Sequence, residues 1–171
     1  MLYALTVVAS LASVLLTGIM TGLFFAFSVS VMPGLNAIDA RSAVASMQAF
    51  NRKILNPVFF LAFFGAPVAS LAAGALFAGR DAALPAAAMF ASAAFYLVGV
   101  LAPTVGINVP LNRKLDRADT PADATAAASL WRDFSGPWSR ANLVRTGFAA
   151  IALLAATLAL FWRGWNLAMM G

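Results

Sequence analysis

Apolar residues gather in four long runs, at roughly residues 3–31, 57–78, 84–107 and 137–162. Each is near or above the roughly 20 apolar residues a helix needs to cross a bilayer core. Two polar stretches interrupt them, a short one at 36–56 and a longer one at 106–145. The pattern predicts a single transmembrane domain over 1–171: an all-α, integral membrane four-helix bundle with short amphipathic helices in its loops. The two polar stretches fall on the same side of such a bundle, so they form its working end.

Local signals set the expected breaks. Gly18, Gly22, Ala26 and Ser30 place a small residue at every fourth position of the first run, a stripe suited to close helix packing. Met32-Pro33-Gly34 is expected to end that helix. Asp39 can cap a short amphipathic helix over 39–52, where Val44, Met47 and Ile54 recur at helical spacing. Asn56-Pro57 reads as a cap followed by proline at the first helical position. Pro67 and Pro103 lie inside the second and third runs, and Pro110 predicts a bend or stop after the third. Thr120-Pro121-Ala122-Asp123 looks like the start of a helix reaching about Phe134. Ser135-Gly136-Pro137 is expected to break the chain and restart it as the fourth span.

Composition narrows the class. The chain of 171 residues is 63% hydrophobic and 10% charged, against about 25% charged in soluble domains. Its net charge of +5 comes largely from Lys and Arg flanking the apolar runs, which suits span orientation and not nucleic acid. Arg41, Arg52, Lys53, Arg113, Lys114, Arg117, Arg132 and Arg140 fall in the polar stretches. Only Arg80 and Arg163 flank the other side. Positive-inside reasoning therefore expects the polar stretches in the cytoplasm of a multi-pass protein, in a bacterial inner membrane. The N-terminus lacks a basic leader region, and its apolar run is of span length, so it reads as a retained helix.

The missing residue types exclude whole chemistries. Cysteine and histidine are absent, which removes disulfides, thiolate and imidazole metal sites, and nucleophilic catalysis through a Cys–His or Ser–His pair. No metal ligand set and no redox cofactor is expected. All six acids are Asp. None falls within the first three spans, which counts against a proton relay or cation-coupled transporter.

The longer polar stretch carries the candidate chemistry. Trp138, Asn142 and Arg145 follow at spacings of four and three, so they share a helix face. Ala149, Ala152 and Ala156 extend it, leaving either room for a ligand or a tight helix contact. Arg145 should lie about two turns into the fourth span, where an Arg costs roughly 2–3 kcal/mol unless paired or snorkelling. It either reaches the interface beside Asp133 or Asp116, or turns inward. Trp131 and Trp138 are equally natural as interfacial belt residues. Asn108 and Asn112 either satisfy backbone groups freed by Pro110 or face a pocket. Taken together, the Trp pair, Asn108, Asn112, Asn142 and Arg145 would suit a flat, anionic aromatic molecule, with the cation on its charge and indoles on its rings.

These residues also carry a resemblance. Thr17-Gly18 with Gly22, Met32-Pro33-Gly34, Phe50-Asn51 with Asn56-Pro57, Asn108-Val109-Pro110-Leu111-Asn112, and Trp131 with Trp138, Asn142 and Arg145 together resemble the anthrone oxygenase-like family of small four-helix membrane proteins. The resemblance covers nearly the whole chain. It implies a cofactor-independent monooxygenase of polycyclic phenolic substrates, since fungal relatives are linked to oxidation of anthrones to anthraquinones. It makes Arg145 a catalytic candidate and Trp131, Trp138, Asn142, Asn108, Asn112 and Asn51 substrate-binding candidates; Asp133, the nearby carboxylate on the Trp131 turn, is the second catalytic candidate. A second class stays open: a non-enzymatic accessory subunit of a membrane complex, or a protein that binds a lipid or quinone. The expected partners are a hydrophobic small molecule, membrane lipids, and either further copies of the chain or a partner complex.

Overall fold

The computed structural model describes residues 1–80, 82–119 and 123–170, the last seven by backbone alone. Among the described residues five helices follow one another: α1 (Leu2–Asn36), α2 (Ala40–Ile54), α3 (Pro57–Ala78), α4 (Ala83–Arg117) and α5 (Ala124–Met170). Helices α1, α3, α4 and the Ala124–Arg163 part of α5 are each long and apolar enough to cross a membrane. The protein is an all-α membrane four-helix bundle. Helix α1 packs against α3 and α5, and α4 against the same two. The cross-section is therefore a square with α3 and α5 on one diagonal.

Length differences create the working end. Helices α1 and α4 have 35 residues each and α3 has 22. At 1.5 Å per residue these are about 52 Å and 33 Å, against a hydrocarbon core of about 30 Å. The ends of α1, α4 and α5 thus project past the start of α3, and α2 packs into the overhang. Asp39 caps α2 by accepting from the Ser42 N–H at 3.0 Å, and Asn56 caps α3 by accepting from the Phe59 N–H at 3.0 Å. The apolar side of α2 supplies Val44 and Met47 to a core shared with Met32, Leu115, Trp131 and Phe134. Gln48 donates to the carbonyls of Leu115 at 2.8 Å and Ala118 at 3.0 Å, so α2 also satisfies the open C-terminal end of α4.

Three expected helix ends are not ends. Helix α1 continues through Pro33 to Asn36, and α4 continues through Pro110 to Arg117. The expected helix near 123–134 and the fourth span are one helix, running through Pro137 from Ala124. The first two cases share a device. Wide π-helical turns occupy Phe27–Val31, Leu97–Leu101 and Thr104–Asn108. The N–H groups of Met32, Ala102 and Val109 close these turns on the carbonyls of Phe27, Leu97 and Thr104. In every case the next residue is proline: Pro33, Pro103 and Pro110. Proline lacks an N–H, and its ring collides with the carbonyl four residues back. Opening the helix just ahead of the ring relieves that collision without ending the helix. At Pro137 the helix persists because Trp131, Phe134 and Trp138 on either side are all buried in the α2 core.

The small-residue stripe of α1 is also corrected. Gly22, Ala26 and Ser30 are exposed, whereas the buried face carries Thr6, Ser10, Ser13, Thr17, Met20 and Phe24. Short hydroxyl side chains do the close packing there. Ser13 and Ser70 hydrogen-bond at 2.7 Å, and Ser70 lies 3.3 Å from Ser92. Of the other expected signals, Asp123 proves to be the cap of α5, accepting from the Ala126 N–H at 2.8 Å. Thr120, Pro121 and Ala122 lie outside the described residues, as does Asp81 of the turn after α3.

Candidate functional site

A cavity of about 230 Å³ lies inside the bundle at the end that carries α2. Every helix contributes to it. Phe24 and Phe27 come from α1, Met47, Phe50 and Asn51 from α2, and Phe59, Phe60, Phe63 and Phe64 from α3. Helix α4 adds Leu101, Thr104, Asn108 and Asn112, and α5 adds Trp138, Asn142 and Arg145. The wall is overwhelmingly apolar and aromatic, with a few polar groups, as ligand sites commonly are.

The polar groups form a connected set. Arg145 is only 6% exposed and turns inward. Its Nη2 donates to Asn142 Oδ1 at 2.7 Å and its Nη1 to Thr104 Oγ1 at 3.2 Å. Its guanidinium carbon lies 4.6 Å from the centroid of the Phe24 ring and 5.3 Å from that of Trp138, distances that suit cation–π contact. Asn142 is fixed in turn. Its Nδ2 donates to the Phe24 carbonyl at 2.9 Å and to Ser28 Oγ at 2.8 Å, across to the π-helical part of α1. Trp138 Nε1 donates to Asn112 Oδ1 at 2.8 Å, and Asn108 Nδ2 to the Trp138 carbonyl at 3.3 Å. Neither bond goes to a backbone group freed by Pro110: both α4 amides bond Trp138 on α5, and both line the cavity.

Two features of this set are incomplete. Among the described residues Arg145 has no carboxylate partner; the ion pair found there joins Arg52 and Asp116 at 2.6 Å on the exposed surface. Three buried atoms of cavity-lining residues also lack hydrogen-bond partners: Asn51 Nδ2, Asn108 Oδ1 and Arg145 Nε. Buried polar atoms are normally paired. These three come from three different helices and line one space, as two donors and one acceptor.

Not all the candidate residues meet. Asn51, Asn108, Asn112, Trp138, Asn142 and Arg145 do. Trp131 lies outside the cavity, where its Nε1 donates to Asn36 Oδ1 at 2.8 Å and ties α5 to the end of α1. Asp133 is exposed and borders a separate shallow hollow with Leu111, Lys114 and Phe134. The step from Trp131 to Trp138 is seven residues, two helical turns, so both point to the bundle; but Trp131 sits beyond α2, which floors the cavity. The alanines at 149, 152 and 156 are fully buried and make a tight helix contact. Sequence reasoning missed Phe24, Ser28, Phe59, Phe63 and Thr104. The pairs Phe59/Phe63, Phe24/Ser28 and Thr104/Asn108 share the four-residue spacing that puts side chains on one face, which was the available signal.

A family model described as anthrone oxygenase matches residues 59–155, more than half of the chain. The match spans the α3 phenylalanines and the α4 and α5 cavity residues. No curated protein and no solved structure matches the chain.

Proposed function

The chain belongs to the anthrone oxygenase family, and on that premise we propose that its cavity binds a flat polycyclic phenol as an anion and directs its oxidation by O2 without a redox cofactor. The observation that carries this reading is Arg145, a buried cation without a carboxylate partner among the described residues. A buried charge is costly unless paired, so an anionic ligand supplies what the cavity lacks electrically. Asn51 Nδ2 and Arg145 Nε offer donors to ligand oxygens, and Asn108 Oδ1 offers an acceptor to a ligand hydroxyl. Trp138, Phe24 and Phe63 provide surfaces for rings.

The chemistry follows from the substrate. A methylene between aromatic rings and beside a conjugated carbonyl loses a proton to give an extended anion. That anion transfers electrons to O2 and forms a C–O bond; loss of water leaves a new carbonyl. Overall, CH2 plus O2 becomes C=O plus H2O, and atoms and electrons balance. Arg145 stabilises the anion by preorganised charge, Asn142 holds the guanidinium in place, and the aromatic walls exclude water. Asp133 is too peripheral to serve as the base in this arrangement, so the proton leaves to solvent or to the ligand's own phenolate. The basic residues at the α2 end support a cytoplasmic position for that end.

The second reading, a non-enzymatic binder of a quinone or anionic lipid or an accessory subunit, is favoured by one observation: among the described residues no carboxylate lines the cavity. Oxygen consumption with a panel of anthrones and hydroquinones separates the two. Wild type above the spontaneous background, with Arg145→Ala at background, supports the oxygenase. Equal rates for both proteins remove it and leave the binding role.

A further inference from the structure

We infer that the cavity is loaded sideways from the bilayer, through a gap between α3 and α4, and not from the water at the end of the bundle. The inference rests on the reading of this cavity as the ligand site, and adds its route of entry. Close packing of α3 on α4 is concentrated on Ala83–Tyr96, while the π-helical part of α4 that follows packs on α5. Three lining residues that flank this seam tell where it leads. Phe60 and Phe64 from α3 are 41% and 51% exposed, and Val105 from α4 is 63% exposed, yet all three line the cavity. They lie within spans, so their outer surfaces meet lipid. The Phe60 and Phe64 rings stack at 6.2 Å along the rim, while Phe59 and Phe63 stack at 5.3 Å one face further in.

The watery end is largely covered by α2, and the lining residues exposed beside it, Phe50 and Leu55, are apolar. Helix α2 lies across it with Met47 and Asn51 turned to the cavity. It is held there by the two Gln48 hydrogen bonds and by the Arg52–Asp116 pair. A ligand from water meets α2 and these bonds first, whereas one dissolved in the bilayer meets apolar side chains on its way to Arg145. A planar hydrophobic molecule partitions into the bilayer in any case, so its local concentration is highest at the seam.

The chain contains no cysteine, so Phe64→Cys with Val105→Cys gives a clean pair for a cleavable bis-maleimide across the gap. The probe is 1,8-dihydroxyanthraquinone carried in vesicles, a planar phenol with no methylene to oxidise, followed by quenching of tryptophan fluorescence in proteoliposomes. Cross-linking is expected to slow entry roughly tenfold or more, as blocking a gating step does, and cleaving the linker to restore the rate. Restoration also shows that the paired variant is folded. Binding at the same rate before and after cross-linking overturns the lateral route and leaves the proposed site intact. No binding to the uncross-linked protein overturns both.

Discussion

Asn142 and Arg145, one turn apart on α5, act as a single unit: Asn142 Oδ1 accepts from Arg145 Nη2 at 2.7 Å while Asn142 Nδ2 grips the Phe24 carbonyl and Ser28 on α1. One amide thus joins the buried charge to the opposite helix. Replacing Asn142 by Leu leaves the Phe24 carbonyl with its Phe27 N–H donor but leaves Arg145 Nη2, buried, without its acceptor, so the guanidinium keeps a single side-chain acceptor in Thr104. The expected loss is about 1–3 kcal/mol of stability, the usual cost of an unsatisfied buried group. Ser28→Ala removes one acceptor and leaves the Phe24 contact, so it should cost less. Unfolding in mild detergent, followed by circular dichroism, checks the order of the two.

Arg145 should behave in the opposite way with respect to stability. Removing a buried cation that has no carboxylate partner among the described residues also removes its desolvation cost, which offsets the lost donor to Asn142 Oδ1 when a side chain of similar bulk takes its place. Arg145→Met is therefore expected to melt at or above the wild-type temperature while losing ligand binding and oxygen uptake. Arg145→Lys keeps the charge but loses the planar fork that reaches Asn142 and Thr104 together, so it should retain only part of the binding. A large drop in stability for Arg145→Met would show that the residue is a structural element instead.

Gly99 marks a place where two helices touch. A methyl group built there would overlap the base of the Phe148 side chain from α5. Overpacking of this kind costs about 1–3 kcal/mol. Gly99→Ala is expected to lower stability by at least that amount, and Phe148→Gly in the same protein, which removes every overlapping carbon, to recover part of it. Additive losses in the double variant would mean that the clash is absorbed elsewhere.

The sequence carried the four spans and most of the site because both depend on periodic signals: apolar length for the spans, and the 138/142/145 spacing for the inward face of α5. It misled where local punctuation met tertiary packing. Pro33 read as a stop and Pro110 as a bend or stop, yet π-helical turns just ahead of them let the helices continue, and no local residue pattern announces such a turn. Pro137 read as a restart, yet the burial of Trp131, Phe134 and Trp138 carries the helix through. Gly18 and its small-residue partners read as the packing stripe, but the hydroxyl face of α1 offers equally short side chains and hydrogen bonds as well. Asp133 was paired with the site by proximity in sequence; a helix turns each residue by about 100°, so it faces outward while Phe134 faces in.

The last expectation concerns the floor of the cavity. Two contacts hold α2 against α4, and they differ in kind. Gln48 is 8% exposed and satisfies two carbonyls that end α4, whereas Arg52 and Asp116 form an exposed pair. Exposed ion pairs contribute about 0–1 kcal/mol, whereas each hydrogen bond from a buried side chain contributes about 0.5–1.5 kcal/mol, and Gln48 makes two. Gln48→Leu should therefore destabilise the protein measurably and raise protease cleavage around 54–56, where α2 meets α3. Arg52→Ala should do neither, and added salt should not mimic Gln48→Leu. If salt alone loosens α2, the floor is held by surface charge and the distinction drawn here is wrong.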